Sequence, residues 1–214
     1  MLQNRLDPSG NFIRTSARGA LMGNRGVIHA GAEIVRPFKH KAWITCVLSF
    51  KGRQRTVMAP GRWTELFFLD EATAFAAGHR PCFECRREDA NRFKGAWVAG
   101  NPAHQFSMKT SINAIDEILH KERIGKEHTK VTHQCQSLDL PSGTFILLNA
   151  QPYLVHNDRI HRWTPFGYEE SLALPVAATL TVLTPESIVS AFRAGYVSNV
   201  GLPPDELNNC PQME

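Results

Sequence analysis

The sequence has no apolar run of about 18 residues, no internal repeat and no low-complexity segment. The missing apolar run excludes a membrane-spanning helix, and the first five residues lack the apolar core of a signal peptide. Cysteine is also scarce, and the five cysteines form an odd set without dense regular spacing, which argues against a disulfide framework. We therefore expect a soluble cytoplasmic protein with no membrane partner, whose thiols are free or bind a metal.

Acidic residues are nearly absent from the first third of the chain. Residues 1–63 hold eleven Lys or Arg and two acids, a balance of +9, whereas residues 139–214 carry −5 within a net charge of +4. A basic segment of this kind is a typical electrostatic footprint for phosphate backbones, and the alternative is an uneven surface charge without a ligand. The candidate nucleic-acid-binding side chains are Arg18, Arg25, Lys51, Arg53, Arg55, Arg80, Arg86 and Arg87.

Apolar periodicity indicates an α+β fold with a mixed, mainly antiparallel sheet, three to four helices and a cysteine-knuckle insertion. The polar stretch 125–136 is predicted to be a loop. Alternating apolar residues predict a hairpin over 42–58 and strands at 63–69, 144–148, 153–156, 159–163 and 176–183. Capping residues followed by apolar periodicity predict helices after Asp70, around 90–97, after Ser111 and after Thr184.

One domain accounts for this pattern. A chain of 214 residues with 43% hydrophobic content is long enough to bury one large core. We expect a single α+β domain over 1–197, with a basic irregular segment at 1–41 and a zinc knuckle region at 64–100. A mobile tail rich in Pro and Asn is expected at 198–214.

The strongest chemical signal is the Gly-x-Arg-Pro-Cys-x-x-Cys pattern at residues 78–85. Two thiolates separated by two residues can hold one zinc ion from a tight turn. Pro81 keeps Arg80 extended, so that Cys82 and Cys85 lie on a turn instead of continuing the preceding helix. The pattern therefore predicts that Cys82 and Cys85 bind zinc, with two unliganded thiols as the alternative.

Residues 68–86 combine a strand end, a short alanine-rich helix, Gly78 and then this cysteine pattern. In these features the segment resembles the second half of the Ada-type metal-binding domain. That family has a four-cysteine zinc site on a small DNA-binding module, and in Ada itself one zinc-bound cysteine accepts a methyl group from a damaged DNA phosphate. The resemblance implies bound zinc and a role in DNA repair or modification. The whole chain is also similar to a bacterial family that shares the cysteine segment, which implies no particular activity.

The chain departs from the Ada-type pattern at the first two ligands, which that family takes from a separate upstream cysteine pair. Here Cys46 stands alone, 36 residues before Cys82, and Phe50 occupies the position of a second cysteine. Cys46 alternates with apolar residues of a predicted strand, which favours a small core side chain, and a role as third metal ligand is the alternative. Candidates to complete a tetrahedral site with Cys46 are His29, His40 and His79.

An enzyme is the alternative to a binding protein. The weak catalytic candidates are Glu65, His79, Asp116 and His120, which would line a pocket for a small or nucleotide-like substrate. Asp116 and His120 are four residues apart on one predicted helix face, although a solvated face has the same spacing. A zinc deaminase is disfavoured, because its H-x-E motif precedes Pro-Cys-x-x-Cys and the H-x-E at 120–122 follows it. A metal-free structural protein is the third alternative.

Overall fold

Residues 1–203 are described by the structure, which is a computed structural model. Cys210 and the part of the predicted tail at 204–214 lie outside the described residues. The helices are α1 (Glu71–Ala76), α2 (Arg87–Gly100), α3 (Ile112–Arg123) and α4 (Glu186–Arg193), with short 3-10 turns at Pro102–His104 and Ser137–Asp139. The strands are β1 (Arg5–Leu6), β2 (Phe12–Ile13), β3 (Leu21–Asn24), β4 (His29–Ala30), β5 (Glu33–Ile34), β6 (Ile44–Cys46), β7 (Leu66–Phe68), β8 (Arg80–Pro81), β9 (His133–Gln136), β10 (Phe145–Leu148), β11 (Gln151–His156), β12 (Arg159–Thr164), β13 (Gly167–Ala173) and β14 (Thr179–Val182).

Two six-stranded sheets and a small ribbon carry these strands. The first sheet has the order β2-β1-β7-β3-β6-β8, and within it the β1–β7 and β6–β8 pairs are parallel. The second sheet has the order β13-β12-β11-β10-β14-β9 and is antiparallel throughout, while β4 pairs with β5. The predicted α+β class with a mixed, mainly antiparallel sheet and four helices is confirmed.

The second sheet follows from local sequence signals. Asn157 and Asp158 both have positive φ, 46° and 59°, and they join β11 to β12 through the kind of tight turn that such residues favour. Residues on one face of the sheet, such as Ile146 and Val155, pack with Val189 of α4. On the other face Leu154 packs with residues of α1, so both faces of the sheet are covered.

The four helices share one core that holds the region around the cysteine motif. Side chains of α1, α2, α3 and α4 meet in a buried cluster that includes Phe75, Phe93, Leu119 and Phe192. None of the helices in residues 1–203 has the length and apolar composition needed to span a bilayer. Because α1 and α2 flank the cysteine motif, this cluster fixes both ends of the turn that carries Cys82 and Cys85.

The predicted hairpin over 42–58 is wrong. Its first strand is reduced to Ile44–Cys46, and residues 47–58 contain no strand. β6 pairs instead with β3 and β8, which come from distant parts of the chain. The buried face is also reversed. The predicted alternation puts Leu48 on the same strand face as Cys46, the face expected to be buried, but Leu48 is 53% exposed whereas Thr45 on the other face is 1% exposed.

The predicted loop at 125–136 is wrong in its last four residues, which form β9. This strand carries polar side chains and lies at the edge of the second sheet, where Gln134 and Gln136 each donate to a threonine of β14. A polar edge strand lacks the apolar alternation by which strands are predicted. The segment at 1–41 likewise holds five strands of two to four residues, which are too short to show a period.

The packed chain continues past the predicted domain end at residue 197. The backbone N–H of Asn199 donates to Glu71, and that of Gly201 donates to Asp70, at 2.9 and 2.8 Å. Leu202 is 5% exposed and belongs to the cluster between α1 and the second sheet. The start of the predicted tail therefore covers the N-terminal end of α1.

Candidate metal centre

Three cysteine side chains converge at the end of the first sheet. The sulfur atoms of Cys46, Cys82 and Cys85 all lie within 4.8 Å of one another. Cys46 is the last residue of β6 and Cys82 directly follows β8, its parallel neighbour. The register pairs Thr45 with Pro81, and the N–H of Cys82 donates to the carbonyl of Thr45 at 2.9 Å. The parallel ladder thus sets the Cys46 side chain beside the Cys-x-x-Cys turn.

The turn itself is held by its own backbone and by Arg86. The N–H of Glu84 donates to the Cys82 sulfur at 3.3 Å, and the N–H of Arg86 donates to the Cys82 carbonyl at 3.0 Å. The Arg86 guanidinium then donates to Glu71, Asp89 and Thr45. The side chain of Arg86 is 8% exposed, so these charged contacts lie mostly inside the protein. They fix the turn to α1, α2 and β6 together.

The three thiols differ in acidity because they interact with one another. The pKa of Cys82 is lowered to about 5, since its sulfur accepts a hydrogen bond from the Cys46 thiol and further ones from the N–H groups of Cys85 and Glu84. The pKa of Cys46 is raised, first because its thiol donates to Cys82 and second because it is desolvated. Burial also raises the pKa of Cys85. A thiolate therefore forms first at Cys82, and a bound cation favours loss of the other two protons.

The donor set fits a soft or borderline metal ion. Thiolates select ions such as Zn²⁺ over the hard cations, which prefer oxygen ligands. Zinc–sulfur bonds of about 2.3 Å place the sulfurs of a tetrahedral site roughly 3.8 Å apart. The separations of up to 4.8 Å between the three sulfurs need only a small contraction to reach that geometry. The cluster can therefore hold a metal ion without rearrangement of the fold.

A fourth protein ligand is not present among residues 1–203. No histidine or acidic residue in that range joins the three cysteines. His79 is fully buried and accepts from Arg25, whereas His29 shares a hydrogen bond with Thr64. The cluster instead borders a cleft of about 140 Å³, whose other lining residues are Asn24, Ile44, Val47, Phe50, Arg53, Arg55, Trp63 and Glu84.

Cys46 is not the core residue that its strand alternation favours. It is only partly buried, and its sulfur lies in the cysteine cluster. This position agrees with the alternative prediction, in which Cys46 is the third ligand of a metal site. The sequence carries no signal for the parallel pairing of β6 with β8, and that pairing is what brings Cys46 to the motif.

The predicted nucleic-acid-binding residues fall into two groups. Lys51, Arg53 and Arg55 lie on the exposed loop after Cys46, and Arg53 and Arg55 line the cleft. Arg53 pairs with Glu84 across the cleft at 2.7 Å, and Arg55 lies over the Trp63 ring at 4.7 Å. Arg18 and Arg87 are exposed at other positions.

The second group is internal. Arg25 is 2% exposed, Arg80 is 4% exposed and paired with Asp116, and Arg86 is bound to Glu71. The donors of Arg80 and Arg86 are taken by carboxylates, and Arg25 borders only a cavity, so none of the three offers an outer surface to an extended phosphate backbone. A nucleic-acid interface on this fold therefore excludes Arg25, Arg80 and Arg86.

The four catalytic candidates are not brought together at the cysteines. His79 and His120 both contact the Trp43 ring, and the carboxylate of Asp116 is occupied by Arg80. The pKa of His120 is lowered to about 4, mainly by desolvation and then by Arg123. Glu65 lies elsewhere, 3% exposed, and accepts from the N–H of Met58 at 2.7 Å.

The residues that support the cysteine turn were not identified from the sequence. Glu71 accepts from Arg86 and from the Tyr196 hydroxyl, and Thr45 accepts from Arg86 at the other side. A glutamate in the first turn of a helix normally indicates a solvated position, so its type gives no sign of this role. Comparisons of the chain with protein-family models, with curated proteins and with solved structures find no match. The resemblance of residues 68–86 to the Ada-type domain therefore stays a prediction.

Proposed function

We propose that the protein binds one zinc ion through Cys46, Cys82 and Cys85, and that it binds nucleic acid through the basic loop beside this centre. The observation that carries the proposal is the convergence of three sulfurs from two separate chain segments within 4.8 Å. Unliganded thiols have no reason to cluster in this way, whereas a zinc ion is bound by several thiolates that are held close enough to share one ion. The low pKa of Cys82 supports the same conclusion, because metal ligands must lose their protons.

The basic loop is defined as residues 47–62. It is exposed along most of its length and carries Lys51, Arg53, Arg55 and Arg62 without an acidic residue. Phe50 lies near the start of the loop and Trp63 directly follows its end, and Arg53 and Lys51 both contact the Phe50 ring. Arginine and lysine beside aromatic rings suit the phosphates and bases of a nucleic acid. The Ada-type resemblance supports DNA as the nucleic acid.

A zinc-dependent enzyme is the second candidate, and the cleft favours it. Three protein ligands with one open position are typical of catalytic zinc sites, whereas structural sites are closed by four. A zinc ion here would supply Lewis-acid polarisation or an activated water. The chain itself would contribute Arg53 and Arg55, which line the cleft and orient an anionic substrate such as a nucleotide.

We expect purified protein to contain about one zinc per chain, because three clustered thiolates bind zinc tightly at neutral pH. Elemental analysis of Cys46→Ala is expected to show reduced occupancy in a protein that is still folded. Cys135→Ala is the matched control, since Cys135 is also a partly buried free cysteine but lies outside the cluster. Cys210→Ser tests for a fourth ligand beyond the described residues. Full zinc occupancy in Cys46→Ala would show that the three-cysteine site is wrong.

Binding of DNA or RNA is expected to weaken as salt rises, because Lys and Arg release counterions from phosphates. Replacing Lys51, Arg53 and Arg55 together by glutamine should lower the affinity and reduce the slope of log K against log salt by roughly 2–3. Fluorescence anisotropy with single-stranded and duplex oligonucleotides measures both quantities.

The matched control for this loop is the triple glutamine variant of Lys109, Lys121 and Lys126, which are exposed and lie outside the basic loop. It removes the same charge, so an equal loss of affinity in the two variants would assign the effect to net charge alone. No association at low salt would refute the nucleic-acid function and leave the zinc-dependent enzyme as the better conclusion.

A further inference from the structure

A second cavity lies at the opposite ends of the two strands that carry the cysteine centre. Its volume is about 350 Å³, and it has no lining residue in common with the cleft beside the cysteines. Trp43, which lines it, stands three residues before Cys46, a separation of roughly 10 Å along a strand. Its lining includes the cations Arg25, Arg123 and Lys130, the aromatic residue Trp43 and the polar residues Ser9, Asn11 and Thr129.

Three cations face this cavity, and no carboxylate within residues 1–203 lines it. Each cation donates to a carbonyl at the C-terminal end of α1. Lys130 donates to Ala76, Arg123 donates to Gly78 at 2.7 Å, and Arg25 makes a longer contact with Ala77 at 3.4 Å. Cations are favourable at this end of a helix because its carbonyls carry partial negative charge. A partial charge at one helix end does not balance three full charges.

The cations are close enough to destabilise one another. The guanidinium carbons of Arg25 and Arg123 both lie over the Trp43 ring, 3.6 and 4.0 Å from its centre. The pKa of Arg25 is lowered by burial and then by Arg123. Burial, followed by the charge of Arg25, lowers the pKa of Lys130 to about 7. Clustered, desolvated cations of this kind are costly unless an anion compensates them.

The protein supplies little of that compensation. Asp7 is near enough to favour the charged forms of Arg25 and Lys130, but it does not line the cavity and supplies one negative charge against three positive ones. Asp116 is held by Arg80. The Nε of Arg123 is buried and has no hydrogen-bond partner among the described residues.

We propose that this cavity binds a small phosphate-bearing molecule. Lys130 and Arg25 hold the phosphate, and Arg123 further balances the negative charge of the phosphate. A phosphate carries up to two negative charges and several acceptor oxygens, which matches converging cations better than one carboxylate does. A volume of about 350 Å³ suits a sugar phosphate or a mononucleotide. Trp43 is 2% exposed, so its ring supports the two guanidiniums and offers little surface to the ligand. The ligand is therefore recognised mainly through its phosphate.

Ser9, Asn11 and Thr129 line the same cavity and are neutral residues with hydrogen-bonding side chains. They suit the hydroxyls of a sugar attached to the phosphate. This site is independent of the zinc centre and of the basic loop, because none of their residues lines it.

Calorimetric titration tests the site with inorganic phosphate, ribose 5-phosphate and adenosine monophosphate, each at constant ionic strength. Ribose and adenosine are the unphosphorylated controls. The phosphorylated probes are expected to bind and the controls are not. Lys130→Gln should weaken binding by roughly tenfold or more, because a charge-assisted hydrogen bond is lost. Lys126→Gln, an exposed lysine of the same loop, should leave affinity unchanged.

Binding that is equal in the Lys126 and Lys130 variants, or absent for all three phosphate probes, would overturn the proposal. If Lys130→Gln does not fold, amide chemical shifts of the unsubstituted protein decide the question. Phosphate must then shift Gly10, Asn11 and Thr129, and shifts confined to other residues refute the site. The zinc-site and basic-loop variants should retain phosphate binding, so failure of the proposed function and failure of this cavity are distinguishable.

Discussion

Replacing Asp116 by alanine is expected to destabilise the protein by about 3–5 kcal/mol, because it leaves the Arg80 guanidinium buried without its acceptor. The two side chains form a bidentate pair, with Nε to Oδ1 at 2.8 Å and Nη2 to Oδ2 at 2.7 Å. Their exposed fractions are only 5% and 3%. The loss should appear as a lower urea midpoint with an unchanged slope.

The neighbouring residue provides a matched control for this pair. Glu117 lies on the same helix and binds Lys41 at 2.6 Å, but both side chains are about half exposed. Glu117→Ala should therefore change the urea midpoint little, since surface pairs contribute little. The double variant Arg80→Met with Asp116→Leu should recover most of the loss, because neither charge is left buried. Equal effects of Asp116→Ala and Glu117→Ala would contradict the importance of burial.

Removing the metal from zinc-loaded protein is expected to lower the free energy of unfolding by about 4 kcal/mol where free zinc stood at about 1,000 times its dissociation constant. For a domain of this size the corresponding fall in Tm is roughly 8–16 °C. The proposed function gives the physical reason: a metal held by Cys46, Cys82 and Cys85 would stabilise only the folded chain, because the unfolded chain does not present this cluster. Thermal unfolding followed by circular dichroism, with and without a chelator, measures the difference.

Two cysteine variants show whether the change in Tm comes from a metal bound at the cluster. Cys82→Ser combined with Cys85→Ser should melt at the chelated temperature whether or not chelator is added. Cys135→Ser should respond to the chelator as the unsubstituted protein does, because its thiol is outside the cluster. An unchanged Tm after zinc has demonstrably been removed would mean that the metal does not stabilise the fold.

The sequence predicts those parts of the fold that depend on near neighbours in the chain. Asp70 and Ser111 were identified as helix caps, and each accepts from a backbone N–H of the first turn. The start of α4 is displaced by one residue, because Thr184 accepts from the N–H of Phe145 and Pro185 is the cap. The turn at residues 157–158 is also where its composition indicates.

Of the first sheet only β6 and β7 fall within predicted strands, and the pairing of its strands was not predicted, because they have only two to four residues and their partners are remote. A two-residue strand has no periodicity, and the alternation in β6 gives no indication of which strand lies beside it. The same limit applies to the metal centre. Cys82 and Cys85 are recognisable from spacing, whereas the position of Cys46 depends on the long-range pairing of β6 with β8.

The internal arginines were misread for a related reason. Arginine is usually exposed, so the charge pattern assigns Arg25, Arg80 and Arg86 to a surface. Each is instead buried by contacts with residues that are remote in sequence, such as Asp116 for Arg80 and Glu71 for Arg86. Composition gives the sign of the charge in a segment, and only tertiary structure shows which of those charges face solvent.

The carboxylate of Glu71 sets an order of events during synthesis. It accepts from Arg86 beside the cysteine turn and also from Tyr196 and Asn199 near the end of the described chain. Cys85 leaves the ribosome more than one hundred residues before Asn199 does. On a growing chain the two motif thiols are therefore available before the carboxylate that anchors their turn has all its partners. A metal ion that bound during synthesis would therefore meet a less firmly held pair than the finished fold presents.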